Sequence, residues 1–239
     1  MISDPFSLLY CLQLIRSENV GPLTYWQLVR HFGSPKAALE SLSGASTVAK
    51  KKIVIFPIDL AQREIESHRR QGIHLLCHAD SQFPQALKTM PDCPPVLSVR
   101  GQLSVLNCQK SIAIVGARNA SLSGRNFAQK LAIDLGIQGW IVVSGLARGI
   151  DASAHLGALK EGTVAVLAGG VDIIYPPEHS DLYCKIQETG SIISEMPLTM
   201  PPSSMHFPRR NRLISGLSQG VVVVEAALKS GSLITANFA

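Results

Sequence analysis

The sequence predicts an α/β protein: a doubly wound, Rossmann-like parallel sheet over residues 110–239, preceded by a helical region over residues 1–70. Three observations carry this. From Lys110 onward, short continuous apolar runs alternate with amphipathic stretches, the pattern of strands buried on both faces between covering helices. Before residue 70 the apolar spacing is helical. Near the C-terminus, Phe207-Pro208-Arg209-Arg210-Asn211-Arg212-Leu213-Ile214-Ser215-Gly216 sets three arginines within four positions, just ahead of the strand-like run Gly220–Glu225.

In the helical region Leu8, Leu9, Leu12 and Ile15 recur at helical spacing, and Leu28, Val29 and Phe32 continue the pattern after Gly21-Pro22. Val20-Gly21-Pro22 and Phe32-Gly33-Ser34-Pro35 read as a glycine turn and a glycine stop. Such a turn can present backbone N–H groups to a DNA phosphate, but with one glycine and no flanking cation plain helix packing is preferred. Lys50-Lys51-Lys52 reads as a solvated basic loop. Residues 71–109 are proline-rich, with short strands expected at Ile73–Cys77 and Val96–Val99, and read as an extension packed on the following domain.

The β-α rhythm then runs strand Ser111–Val115, helix Ser123–Gln138 with Phe127, Leu131 and Leu135 on one apolar face, and strand Trp140–Val143. It continues with helix Asp151–Lys160 capped by Asp151, strand Val164–Ala168, helix His179–Glu188, strand Ser191–Ser194, helix Arg209–Leu217 and strand Gly220–Glu225. Gly231–Ala236 announces a further helix, and the chain stops at Ala239. A finished domain rarely ends in the first turns of a helix, so the C-terminus is expected to be truncated.

Composition narrows the classes. The 239 residues are 46% hydrophobic with a net charge of +5, an ordinary folded composition whose basic excess is spread over both halves. Nucleic acid is compatible with that balance without being established by it. Five cysteines with no C-x-x-C pair argue against a zinc site or a disulfide framework. No signal sequence or eighteen-residue apolar run is present, which predicts a cytoplasmic protein with no membrane segment. Of the histidines only His74 and His78 stand at a ligand-like spacing, so no metal is expected.

In open parallel sheets ligands bind at the carboxyl ends of the strands. Those ends carry Gly116 and Arg118, then Ser144, Gly145, Arg148 and Gly149, and later Gly231 and Ser232. Glycine lets a ligand approach the backbone, while arginine forks bind phosphate bidentately and stack on bases. Phe207, Arg209, Arg210, Asn211 and Arg212, uninterrupted by acidic residues, would complete one anion-binding face. The glycine-rich dinucleotide fingerprint, the P-loop, the nucleophile elbow and the H-E-x-x-H motif are all absent. No catalytic constellation emerges, and neither a cofactor nor catalysis is expected.

Ser111–Arg118, the run Val143–Asp151 followed by Ala154-His155, and Tyr175-Pro176-Pro177 resemble the DNA-processing protein A (DprA, or Smf) family. So do Ile193-Ser194-Glu195 with Pro197, Phe207–Gly216 and Val221–Ala236. The resemblance covers residues 110–239 almost continuously, and the region around Gly21 and Gly33 is also similar. It implies an extended Rossmann domain behind a small SAM-like or helix-hairpin-helix domain. It also implies a non-catalytic single-stranded DNA-binding protein that protects incoming DNA in natural transformation and loads the RecA recombinase. Homodimerisation through the Rossmann domain and a C-terminal winged helix are further family properties. The implied DNA surface comprises Gly116, Arg118, Ser144, Gly145, Arg148, Gly149, Phe207, Arg209, Arg210, Asn211, Arg212, Gly231 and Ser232. Two other readings compete. One is a nucleotide-processing enzyme of the Rossmann-like phosphoribohydrolase kind, with Glu225 as acid or base. The other is a scaffold whose basic cluster serves an acidic protein.

Overall fold

The computed structural model describes residues 7–43, 53–227 and 230–238, so Lys50-Lys51-Lys52 lie outside the described residues. The chain divides into two compact units, residues 1–83 with 88–97 and residues 84–87 with 98–239.

The first unit contains α1 (Leu8–Arg16), α2 (Pro22–Phe32), α3 (Pro35–Ser43), α4 (Ile58–Arg70) and strand β1 (His74–Cys77). Pro22 stands in the first turn of α2, where its missing N–H costs nothing, and Gly33 closes the helix. Leu14, Val20, Tyr25, Leu28, Val29, Ala38 and Leu39 form one core cluster, so Leu28 and Val29 pack as the spacing predicts, whereas on α1 the buried positions are Cys11, Leu12 and Leu14, with Leu8, Leu9 and Ile15 only half-buried. Arg16 grips Glu64 at 2.8 Å, tying α1 to α4, and Trp26 Nε1 donates to the carbonyl of Cys93. Residues 74–83 and 88–97 therefore belong to this unit's packing. His78 packs its ring on Trp26 and Phe83. All five cysteines are free thiols, with Cys11, Cys77 and Cys93 buried.

A short helix α5 (Gln85–Lys88) leads to β2 (Val96–Gly101). The second unit then runs β3 (Ser111–Gly116), α6 (Leu122–Ile137), β4 (Ile141–Ser144), α7 (Ile150–Ala158), β5 (Thr163–Val166), α8 (Ser180–Thr189) and β6 (Ser191–Ser194). It continues with α9 (His206–Gly216), β7 (Val221–Val224) and α10 (Gly231–Ala236). Its strands lie in the order β2-β6-β5-β4-β3-β7. The order reverses between β3 and β7, so their carboxyl ends form the switch point where open sheets open a crevice. The sheet is mixed: β3 to β7 pair in parallel, but β2 joins β6 antiparallel, Ser98 opposite Ser194.

Two local expectations are corrected. On α6 the buried positions are Ala128, Ala132 and Gly136, whereas Phe127 is exposed and Leu131 and Leu135 only flank the core. Small residues let α6 approach Ala154 and Ala158 of α7 closely, which a phenylalanine on that face would prevent. Asp151 does not cap α7. The cap position is Gly149, whose φ of 75° is costly for any other residue, and the buried Asp151 carboxylate instead accepts from the Gly145 and Ala147 amides.

Behind the switch point His155 is wholly buried. The Thr163 hydroxyl spends its proton on the Val142 carbonyl, so His155 must donate from Nδ1 to Thr163, and its Nε2 has no hydrogen-bond partner among the described residues. Burial, with the charges of Arg210 and His179, lowers its pKa to about 3. An unfolded histidine titrates near 6.5, so the unfolded state binds the extra proton between the two values. The stability contribution is complete above 6.5 and falls by about 1.4 kcal/mol per pH unit towards 3. Urea midpoints measured over that window should show the slope in the natural chain and lose most of it in His155→Leu. An unchanged slope would place the acid sensitivity elsewhere.

Candidate nucleic-acid interface

At the switch point the strand-end loops line two adjoining cavities open to solvent, one smaller and one larger. Arg118, Ala147, Phe207 and Arg210 line both and so stand between them. The Phe207 ring has the Arg118 guanidinium 5.1 Å and the Arg210 guanidinium 5.9 Å from its centre. Tyr175 adds a second ring at 6.0 Å. An aromatic ring with two cations beside it, lining a cleft, suits both base stacking and phosphate capture.

The chain places each of these groups by local geometry. Helix α9 begins at His206, earlier than expected, so Phe207, Pro208 and Arg209 fall in its first turn and Arg210 and Arg212 in its second. Positions 209, 210 and 212 then point in different directions. Arg209 is exposed and lines neither cavity. Arg210 is 6% exposed and donates through Nη1 to the Val166 carbonyl at 2.8 Å. Burial pushes it down to about 10, opposed by the attraction of Asp151 and reinforced by the repulsion of Arg118. Burial likewise raises the Asp151 pKa, with Arg210 and backbone amides pulling it back. Arg212 turns away from the cavities into an ion pair with Glu195, both side chains buried.

The remaining expected residues divide the same way. Arg118 and Arg148 are exposed at the cleft. Gly116, Asn211, Gly231 and Ser232 line the larger cavity, where Asn211 Nδ2 donates to the Gly231 carbonyl and fixes the start of α10. Gly145 lines the smaller one, and a Cβ there would lie 1.7 Å from Arg210 Nη1, so glycine is what lets the guanidinium cross. Ser144 is buried, its hydroxyl spent on the Ile114 carbonyl, and Gly149 packs against the backbone of residues 117–118. Both hold the loop from behind.

The cleft also contains residues not singled out as site residues. Tyr175 and Pro176 line it, although Tyr175-Pro176-Pro177 was visible as a motif. Glu178 pairs with Arg148 across the rim, a contact between loops thirty residues apart that no local spacing reveals. Glu225 is pinned by Ser121, whose amide and hydroxyl donate to it at 3.0 and 2.8 Å. Those bonds hold its pKa below the usual carboxylate range, so it serves to tie β7 to the start of α6 and is ill suited to take up a proton. Among the described residues no cluster of histidine, cysteine or acidic side chains is arranged to hold a metal, and no helix is long and apolar enough to cross a membrane.

Comparison with known proteins gives this geometry its context. Residues 74–239 match the family profile of DNA recombination-mediator protein A, and residues 7–67 match the DprA-like N-terminal HHH domain. DNA processing protein DprA of Bacillus subtilis is 41% identical over 176 residues, covering 73% of this chain and 59% of the relative. Protein Smf of Escherichia coli is 46% identical over 174 residues, covering 71% and 46%. The chain thus spans roughly half of the curated relatives' length. The crystal structure of DNA processing protein A from Streptococcus pneumoniae superposes with a TM-score of 0.77 at 26% identity, over 99% of this chain and 83% of that one. The protein from Helicobacter pylori, whose structure is described for its single-stranded DNA binding mode, superposes with a TM-score of 0.65 at 31% identity, over 70% and 75%. With both profile matches and an α/β sheet preceded by a helical HHH domain, this chain belongs to the DNA recombination-mediator protein A family.

Proposed function

We propose that the cleft binds single-stranded DNA without sequence preference and performs no chemical step. In this reading the protein shields incoming DNA and passes it to the RecA recombinase during recombination and natural transformation, acting in the cytoplasm as a homodimer formed through its second unit. The observation that carries the DNA reading is Phe207, with the Arg118 and Arg210 guanidiniums beside its ring where the two cavities adjoin. A base can stack on a ring whatever its identity, while the neighbouring guanidinium groups take the flanking phosphates. The DNA-contacting set is then Gly116, Arg118, Gly145, Arg148, Phe207, Arg210, Gly231 and Ser232, with Arg209 outside the cleft. Ser144, Gly149, Asn211 and Arg212 shape it from behind. The Helicobacter pylori relative, whose structure is described for its single-stranded DNA binding mode, supports the same class of ligand.

Gel shifts of oligo(dT) and of a duplex of the same length at rising salt test this reading. The single strand should be retained to higher salt, with affinity falling log-linearly as counterions are released. Arg118→Ala should weaken binding and flatten that slope by about 0.7, the value of one single-strand phosphate contact. Its side chain is exposed, so melting should not change. Equal retention of duplex and single strand, or a slope indifferent to Arg118, would count against the proposal.

A further inference from the structure

Of the three arginines that line the smaller cavity, Arg148 alone is engaged by a carboxylate at the rim. Its Nε donates to Glu178, with the two side chains 61% and 47% exposed. The pair is not a casual meeting of surface side chains, because its acidic partner is held in place. Glu178 sits in a 3-10 turn, Pro177–His179, directly after Tyr175 and Pro176, which line the cavity. His179 Nδ1 lies 3.0 Å from the Leu146 carbonyl, fastening this turn to the loop that carries Arg148. Tyr175, packed on Phe207, fastens it to α9. The carboxylate is thus presented to the guanidinium from a segment anchored on both sides. The other two cavity arginines are committed differently, Arg118 over the Phe207 ring and Arg210 to the Val166 carbonyl.

A carboxylate and a phosphate present the same planar pair of acceptor oxygens to an arginine fork. We propose that Glu178 is a resident anion that competes with DNA phosphate for Arg148, and so makes the cleft select an extended strand over short phosphates. A mononucleotide or dinucleotide arriving at Arg148 must displace Glu178 with little else to hold it. A long strand already stacked on Phe207 and bound at Arg118 offers its next phosphate at high effective concentration, and displaces the carboxylate readily. The freed Glu178 then stays near the bound phosphate and takes up a cation, which partly cancels the counterion release from the strand. This inference rests on the cleft being a single-stranded DNA surface.

The test compares the full chain with Glu178→Gln, Arg148→Ala and the double variant, using oligo(dT) and the dinucleotide pTpT across a salt series. Glu178→Gln should tighten oligo(dT) binding about two- to fivefold, the factor to which an exposed ion pair corresponds. It should steepen the salt slope by up to about 0.7 and improve pTpT proportionally more. Both gains should vanish in the Arg148→Ala background. Melting temperatures should be unchanged, since both side chains are exposed. A gain that survives without Arg148 would make Glu178 a general source of repulsion and overturn the inference, as would no gain or a loss. The two readings fail distinguishably. No variant binding oligo(dT) would remove the DNA reading itself. Binding that is sensitive to Arg118 but indifferent to Glu178 would remove only this selection step.

Discussion

Arg212→Ala should lower the stability of the second unit by about 3–5 kcal/mol, the cost of stripping one partner from a buried ion pair. Arg212 and Glu195 are 6% and 7% exposed at the side chain and bonded to each other, so alanine strips a buried carboxylate of the guanidinium that faces it. For a domain of this size the melting temperature should fall by on the order of 10 °C. The pair Arg212→Met with Glu195→Leu should recover most of the loss, because two apolar side chains carry no desolvation penalty. Differential scanning calorimetry decides the matter. An Arg212→Ala chain that melts normally but binds oligo(dT) with a flattened salt slope would return Arg212 to the DNA surface.

Phe207→Ala should weaken oligo(dT) binding by about 1–3 kcal/mol for each base stacked on the ring, a factor of roughly 5 to 150. No charge is removed, so the salt slope should stay that of the natural chain. That separates stacking from phosphate capture, which Arg118→Ala reports. Phe207→Trp keeps an aromatic face and should retain most of the affinity. Fluorescence anisotropy at two salt concentrations reads both quantities. Unchanged affinity for the alanine variant would refute the stacking role. A flattened slope would mean that the ring acts chiefly by aligning Arg118, which packs 5.1 Å from its centre.

Some of this was legible in residue order because it depends on local chemistry. Continuous apolar runs such as Ser111–Val115 and Gly220–Glu225 read as strands between helices, and the two pair in parallel, although β7 is the edge strand with Val221, Val222 and Val223 only half-buried. Glycines and arginines at strand ends follow from the topology of open sheets, and Arg118, Gly145 and Arg148 do meet at one cleft. The antiparallel β2 was not legible, because a short apolar strand carries no mark of its direction. The packed face of α6 was misread for a related reason. Alanine and glycine give a weak hydrophobic signal, yet they are what a close helix-helix approach requires.

Residue order alone carries the α/β class, the alternation that builds the sheet, and the gathering of glycines and arginines at the strand ends, where a ligand is expected. Which arginines line the cleft depends on the fold. In sequence, 209, 210 and 212 are one basic cluster. In the fold they become an exposed cation, a buried cation beside Phe207, and half of an ion pair with Glu195. The reason is geometric and electrostatic together. A helix turns neighbouring side chains towards different surroundings, and a buried charge takes a partner from wherever the chain returns, here from residues 17 positions away for Arg212.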